Sequence, residues 1–248
     1  MTRTLSFAGS TGAQLEGTLH EPEGAAKGSI LLAHCFTCSK DLHTMTRLAR
    51  GLADAGYAVL RFDFTGLGES EGDFATTTVA NDVRDIVRAA TALIEEGLGP
   101  CGLLGHSLGG AATLLAAERI HTIRSVVTIG APASPSHVRH LFEDAEETGS
   151  DRLKVTIGGR EFDVATSFLD DLDDHDQKGA VAELGRPLLV LHAVDDEVVS
   201  VSEGERLFAA AKQPKGFVPL LDTDHLLTDR AAAEVALNWA RDWFSATL

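Results

Sequence analysis

Apolar residues alternate at the start of the chain. Leu5 and Phe7 take every second position, and Leu15, Gly17 and Leu19 repeat the pattern after the turn-forming Gly9-Ser10-Thr11-Gly12. This alternation predicts a half-buried antiparallel hairpin. The texture then changes to short continuous apolar runs at residues 29–33, 57–62, 101–105, 126–129 and 187–191. Strands covered on both faces, as in parallel sheets, read this way. Helical periodicity fills the intervals. Met45, Leu48, Leu52 and Ala55 share one face, as do Val79, Val83, Ile86, Ala90 and Leu93. Val235, Trp239 and Trp243 recur four apart, which predicts a core-facing stripe on the last helix. Strands alternating with helices point to an α/β protein with a mostly parallel sheet.

One segment breaks the alternation. Residues 134–185 carry polar, acidic helical stretches around a hairpin-like pattern at 154–164. The segment is too long for a crossover and too structured for a bare loop. It is expected to form a small cap inserted into a single domain spanning residues 1–248.

The strongest chemical signal is Gly105-His106-Ser107-Leu108-Gly109, placed between an apolar run and the small-residue stretch Gly110-Ala111-Ala112. A G-x-S-x-G between strand and helix is a nucleophile elbow, in which the serine takes strained geometry and its neighbours must be small. A serine hydroxyl needs a base, and the base needs an acid to orient it. The chain order must be serine, acid, histidine. Residues Asp195, Asp196 and Glu197 offer the acid after the run at 187–191, and His225 follows a further short strand. His106 lies in the elbow and cannot turn back on Ser107. His34 and His192 sit at strand ends, where bracing hydrogen bonds are expected, and the other histidines miss the required position. Asp222 and Asp224 read as turn residues. The oxyanion donors are expected to be the backbone amides of Leu108 and Phe36.

At this point the residues resemble a family. His34-Cys35-Phe36-Thr37 is similar to the oxyanion segment of feruloyl-esterase-like and monoacylglycerol-lipase-like α/β hydrolases. The stretch from Arg61 to Gly72 is similar to the turn after their fourth strand, and the nearest resemblance is to the hydrolase half of proteins fused to an OsmC-type peroxidase. The resemblance implies the α/β-hydrolase fold, with an eight-stranded sheet, an antiparallel N-terminal hairpin, helices on both faces and a small cap. It implies a serine carboxylesterase acting on small to medium acyl esters, and it selects Asp196, two residues before the pair Val198-Val199. No metal or organic cofactor is required. A serine nucleophile argues against dehalogenase or epoxide hydrolase chemistry, while thioesterase and acyltransferase activities share the same triad. The 248 residues leave no room for the peroxidase domain, as expected of a stand-alone relative or of a hydrolase half cut at the domain boundary, so its redox role is not part of the expectation here. A non-catalytic or redox-regulated binding module paired with such a peroxidase is the alternative from another class.

Composition narrows the partners. A net charge of −16 repels phosphate backbones and anionic lipid surfaces, so nucleic acid and membrane are not expected partners. No apolar run approaches the ~20 residues of a membrane span, and the first residues lack a signal-peptide pattern. A cytoplasmic location follows as the default, with homo-oligomerisation left open. A chain this long needs no disulfide, and three cysteines suit a reducing compartment. Cys35 and Cys38 read either as a redox switch beside Phe36 or as small side chains filling a tight loop. Cys101 reads as a small buried hydrophobe. The run from Asp170 to Asp176 lacks the glycine and distal glutamate of a calcium loop, and reads as a solvated helix on the cap. Phe162, Phe168 and Leu169 are expected either to line the substrate pocket or to form the core of the cap.

Overall fold

The N-terminal alternation becomes β1 (Thr2–Ala8) and β2 (Gln14–His20), which pair antiparallel with Phe7 opposite Leu15 and Leu5 opposite Gly17. Leu5, Phe7, Leu15 and Leu19 turn inward. Gly17 is required by packing, because a Cβ there would meet Leu60 Cδ1 at 2.7 Å. The computed structural model describes residues 1–149, 151–157 and 159–248.

Strand and helix then alternate through β3 (Ser29–Ala33), α1 (His43–Asp54), β4 (Ala58–Phe62), α2 (Val79–Glu95), β5 (Gly102–His106), α3 (Leu108–Ala117) and β6 (Ser125–Ile129). An insertion follows. It comprises a 3-10 segment (Pro135–Phe142), a small antiparallel sheet of β7 (Glu146–Glu147), β8 (Arg152–Ile157) and β9 (Arg160–Ala165), and helices α4 (Thr166–Asp173) and α5 (Gln177–Glu183). The hairpin-like pattern pairs as β8 and β9, with Lys154 opposite Asp163. Gly158, like Ser150, lies outside the described residues. The main fold resumes with β10 (Leu188–Ala193), α6 (Val201–Ala210), β11 (Lys215–Leu220) and α7 (Arg230–Thr247).

The main sheet has eight strands in the order β1-β2-β4-β3-β5-β6-β10-β11. From β4 to β11 neighbouring strands run parallel, and β1 and β2 form the antiparallel edge. Because side chains alternate along a strand, each core strand feeds two cores. Leu31, Leu60, Leu103 and Val126 face α2 and α3, whereas Ile30, Val59, Leu104 and Val127 face α1 and α7. Among the described residues, no helix is long and apolar enough to cross a membrane.

The last helix corrects an expectation. Val235 and Trp239 are 46% and 49% exposed and face outward, whereas Trp243 of the same stripe is half-buried and packs against the core. The buried face of α7 is Ala232, Ala233, Ala236, Leu237, Ala240 and Phe244. Small alanines let the helix lie close to the sheet, and spacing between large residues gave the wrong face.

Candidate active site

Ser107 stands between β5 and α3 with φ 55°, a left-handed value uncommon for a residue bearing a Cβ. The turn leaves no room beside it. A Cβ on Gly105 would lie 2.5 Å from Gly110 Cα, and one on Gly109 only 2.0 Å from the His34 carbonyl oxygen. The Ser107 amide donates to the Ile129 carbonyl at 2.9 Å and ties the turn to β6.

His225 lies in the loop after β11. Its Nε2 is 2.9 Å from Ser107 Oγ and its Nδ1 is 2.8 Å from Asp196 Oδ2. With Nδ1–H donating to the carboxylate, the neutral ring leaves Nε2 as an acceptor, so the serine hydroxyl donates to it. The loop between β10 and α6 carries Asp196, whose Oδ1 accepts the amides of Val198 and Val199 at 2.9 and 2.8 Å. Burial opposes the charge on Asp196. The His225 hydrogen bond and charge, with the two amides, outweigh it and hold the carboxyl below the usual carboxylate range. Asp195 and Glu197 are exposed and neither bonds His225.

Three further histidines brace these loops. His106 donates Nε2–H to the His225 carbonyl at 2.8 Å, and burial, aided by the neighbouring His225, pushes it down to about 3. His192 donates to the Val199 carbonyl at 2.8 Å. His34 donates Nδ1–H to the Cys35 carbonyl at 2.8 Å, while its Nε2 accepts the Phe64 amide at 3.3 Å. Burial lowers the pKa of both His34 and His192. Asp224, read as a turn residue, accepts the Thr228 amide at 2.8 Å beside His225.

The Cys35–Phe36 peptide presents its carbonyl to His34. In a trans peptide the N–H points the opposite way, so this bond fixes the direction of the Phe36 amide. That amide takes no part in the loop's own hydrogen bonds, which run from Cys38 to Cys35 and from Leu42 to Ser39. Leu108 opens α3, where first-turn amides have no partner within the helix.

The expectation that the chain carries no disulfide is overturned here. Cys35 and Cys38 form a disulfide, because the turn brings their Cα atoms to 5.3 Å, within bonding range. Cys101 is free and buried. Under the same loop lies a charged brace absent from the sequence reading. Asp63, fully buried, accepts the Lys40 amide at 2.5 Å and Lys40 Nζ at 2.8 Å. Burial disfavours the Lys40 ammonium, but its bonds to Asp63 and Glu69 prevail and raise its pKa. A lone aspartate inside the apolar run Phe62-Asp63-Phe64 was the available signal.

Ser107 and His225 open into a cavity of about 500 Å³. Phe36, Leu42, Val198 and Leu226 wall it from the core loops, and Val138, Leu141, Ile157 and Arg160 from the insertion. Phe162, Phe168 and Leu169 are not among the residues that line this cavity; they pack between the insertion and the main fold. Phe168 is 1% exposed and stacks on Phe36 at 5.0 Å, and Phe162 packs on Phe74 at 5.7 Å. Leu169 packs against the main core. In the acidic run, Asp171 pairs with His175 at 3.0 Å and Asp173 with Arg139 at 2.5 Å. Among the described residues, no three His, Cys, Asp or Glu side chains gather as a metal site would require.

A serine on an elbow, a histidine from the loop after the last strand and a parallel sheet with an antiparallel edge define a class, and the comparisons agree. The chain belongs to the α/β hydrolase family, which residues 30–238 match. It is similar along its length to the esterase domain of a protein from Rhodothermus marinus, at 40% identity and TM-score 0.81, with 98% of each chain covered. Est1E from Butyrivibrio proteoclasticus, solved with ferulic acid bound, shares the fold at TM-score 0.81 and 18% identity, over 97% of this chain and 98% of that one. The lysophosphatidylserine lipase ABHD12 of Danio rerio is 29% identical over 180 residues. That match covers 68% of this chain and 43% of the lipase.

Proposed function

We propose that the protein is a serine carboxylesterase acting on small to medium acyl esters. The observation that carries this reading is the aligned relay Ser107–His225–Asp196, with contacts of 2.9 and 2.8 Å, opening into a largely apolar cavity. Similarity to the Rhodothermus esterase domain supports an ester as the bond cleaved.

As Ser107 Oγ attacks the ester carbonyl, its proton passes to His225 Nε2. The carbonyl electron pair moves onto oxygen, where the Phe36 and Leu108 amides receive the charge. Asp196 keeps His225 in the correct tautomer and stabilises the cation that forms. His225 then protonates the departing alcohol and leaves an acyl group on Ser107. Water, deprotonated by His225, attacks that acyl carbon, and Ser107 leaves with its proton restored.

The test is hydrolysis of a p-nitrophenyl ester series, acetate through dodecanoate, by wild type beside Ser107→Ala. Serine-dependent turnover is expected, and the preferred chain length measures the cavity. A matched thioester separates thioesterase activity, which uses the same groups. A folded wild type that turns over none of these would overturn the reading and leave the binding module paired with an OsmC-type peroxidase.

A further inference from the structure

The disulfide closes a ring around the amide assigned to the oxyanion. Phe36 and Thr37 are the two residues inside the Cys35–Cys38 ring. The Cys38 amide donates to the Cys35 carbonyl at 3.1 Å, which makes these four residues a tight turn. Thr37, the third of them, has φ 60°. Turns with a positive φ at this position take glycine or asparagine, and a β-branched residue there is strained. The turn is therefore one that its own sequence resists, held by a covalent bond and by His34. Opening the bond would let Thr37 relax toward negative φ, and Phe36, joined to it by the Phe36–Thr37 peptide, would shift and carry its amide with it.

The bond is also within reach. Cys35 is 3% exposed, whereas Cys38 is only half-buried, and both line the cavity that holds Ser107. Cys101 precedes β5 at the opposite end of the sheet, so it cannot exchange with the pair.

We propose that the Cys35–Cys38 disulfide is a reducible clamp that positions the Phe36 amide, so that dithiol reductants slow hydrolysis and reoxidation restores it. The proposal rests on the esterase reading of this site. In the first step a reductant thiolate attacks Cys38 Sγ, the Cys35–Cys38 bond breaks, and Cys35 leaves as a thiolate that takes up a proton. The second reductant thiolate then attacks the reductant sulfur bound to Cys38 and releases Cys38, which is protonated in turn. Two electrons and two protons pass to the protein, and the reductant departs as its own disulfide.

The experiment compares oxidised and dithiothreitol-treated protein, without denaturant, by thiol titration, ester kinetics and the rate of Ser107 labelling by a fluorophosphonate. Reduction is expected to expose the two thiols of Cys35 and Cys38. It should cut kcat roughly tenfold or more, because an oxyanion donor is lost, and move KM by less than about twofold. Diamide should reverse the loss. The Cys35→Ser/Cys38→Ser variant should match the reduced enzyme and ignore dithiothreitol. Thr37→Gly, which makes the turn comfortable without the bond, should lose several-fold less rate on reduction and serves if the double variant fails to fold. Equal kcat and equal labelling in the two redox forms would overturn the clamp, as would a disulfide that yields only when circular dichroism reports unfolding. No ester turnover in either form, with labelling that still slows on reduction, would overturn the esterase reading and leave the clamp standing.

Discussion

The Nε2–H of His106 donates to the main-chain carbonyl of His225 at 2.8 Å, so the residue before Ser107 ties down the loop that carries His225. The two rings lie 5.0 Å apart, and His106 never faces Ser107. His106→Leu would leave that carbonyl unpaired and free the loop to drift. Because displacements near 1 Å cost about a hundredfold in well-placed sites, kcat is expected to fall roughly 10- to 100-fold with KM little changed. Steady-state kinetics on a p-nitrophenyl ester reads this split.

Asp196, and neither Asp195 nor Glu197, hydrogen-bonds His225 Nδ1. Asp196→Asn should reduce kcat by about four orders of magnitude, the scale expected when a triad histidine is held in the wrong tautomer. Asp195→Asn and Glu197→Gln, both at exposed positions, should stay within about twofold of wild type. A large loss in either of these variants would reassign the acid.

Asp63 and Lys40 form a buried ion pair under the loop that carries Phe36, 2.8 Å apart. Removing Asp63 takes away the buried partner of Lys40 and leaves it only the exposed Glu69 and Asp41, with breaking a buried pair costing at most about 3–5 kcal/mol. Asp63→Ala should therefore lower the urea midpoint sharply, whereas Asp63→Leu combined with Lys40→Met should recover much of the loss. An unchanged midpoint in Asp63→Ala would show that the pair does not hold the loop.

What could be read ahead of the structure divides along physical lines. The hairpin of Leu5, Phe7, Leu15 and Leu19 and the parallel core were legible, because periodicity reports burial directly. Ser107 was legible because the elbow demands glycine at 105 and 109, and chain order then led to His225. The acid was not fixed by the residues alone. Asp195, Asp196 and Glu197 are adjacent in sequence, and only the geometry brings one of them to His225. The face of α7 was misread because alanine hardly registers as apolar although it packs best. The cavity wall of Val138, Leu141, Ile157 and Arg160 had no local signature, since it assembles from a 3-10 segment and a hairpin remote in sequence.

Stability should fall in acid through two buried histidines. His20 accepts Arg61 Nε–H at 3.1 Å, and burial followed by the Arg61 charge holds it down to about 4. His106 is held to about 3. In the unfolded chain both titrate near 6.5. Above that value neither state takes up these protons. Between there and about 4 the unfolded chain binds them and the folded chain does not, so stability drops as pH falls through this window. Urea midpoints measured from about pH 7 to pH 4 should decline, and His20→Gln should flatten the slope. Asp196 and Asp41, both held below 3.8, contribute stability that is lost only at still lower pH.

The cavity has two owners. Phe36, Ser107 and His225 come from loops seated at the carboxyl ends of the parallel strands, whereas Val138, Leu141, Ile157 and Arg160 belong to one excursion of the chain. That excursion leaves from β6 and returns into β10, which are neighbours in the sheet with Leu188 beside Val126. It leaves the carboxyl end of β6 and enters the amino end of β10, so both its ends are anchored in neighbouring parallel strands, whatever lies between them. A lineage or an engineer can exchange the whole excursion and reshape what fits the cavity, while Phe36, Ser107 and His225 keep their seats.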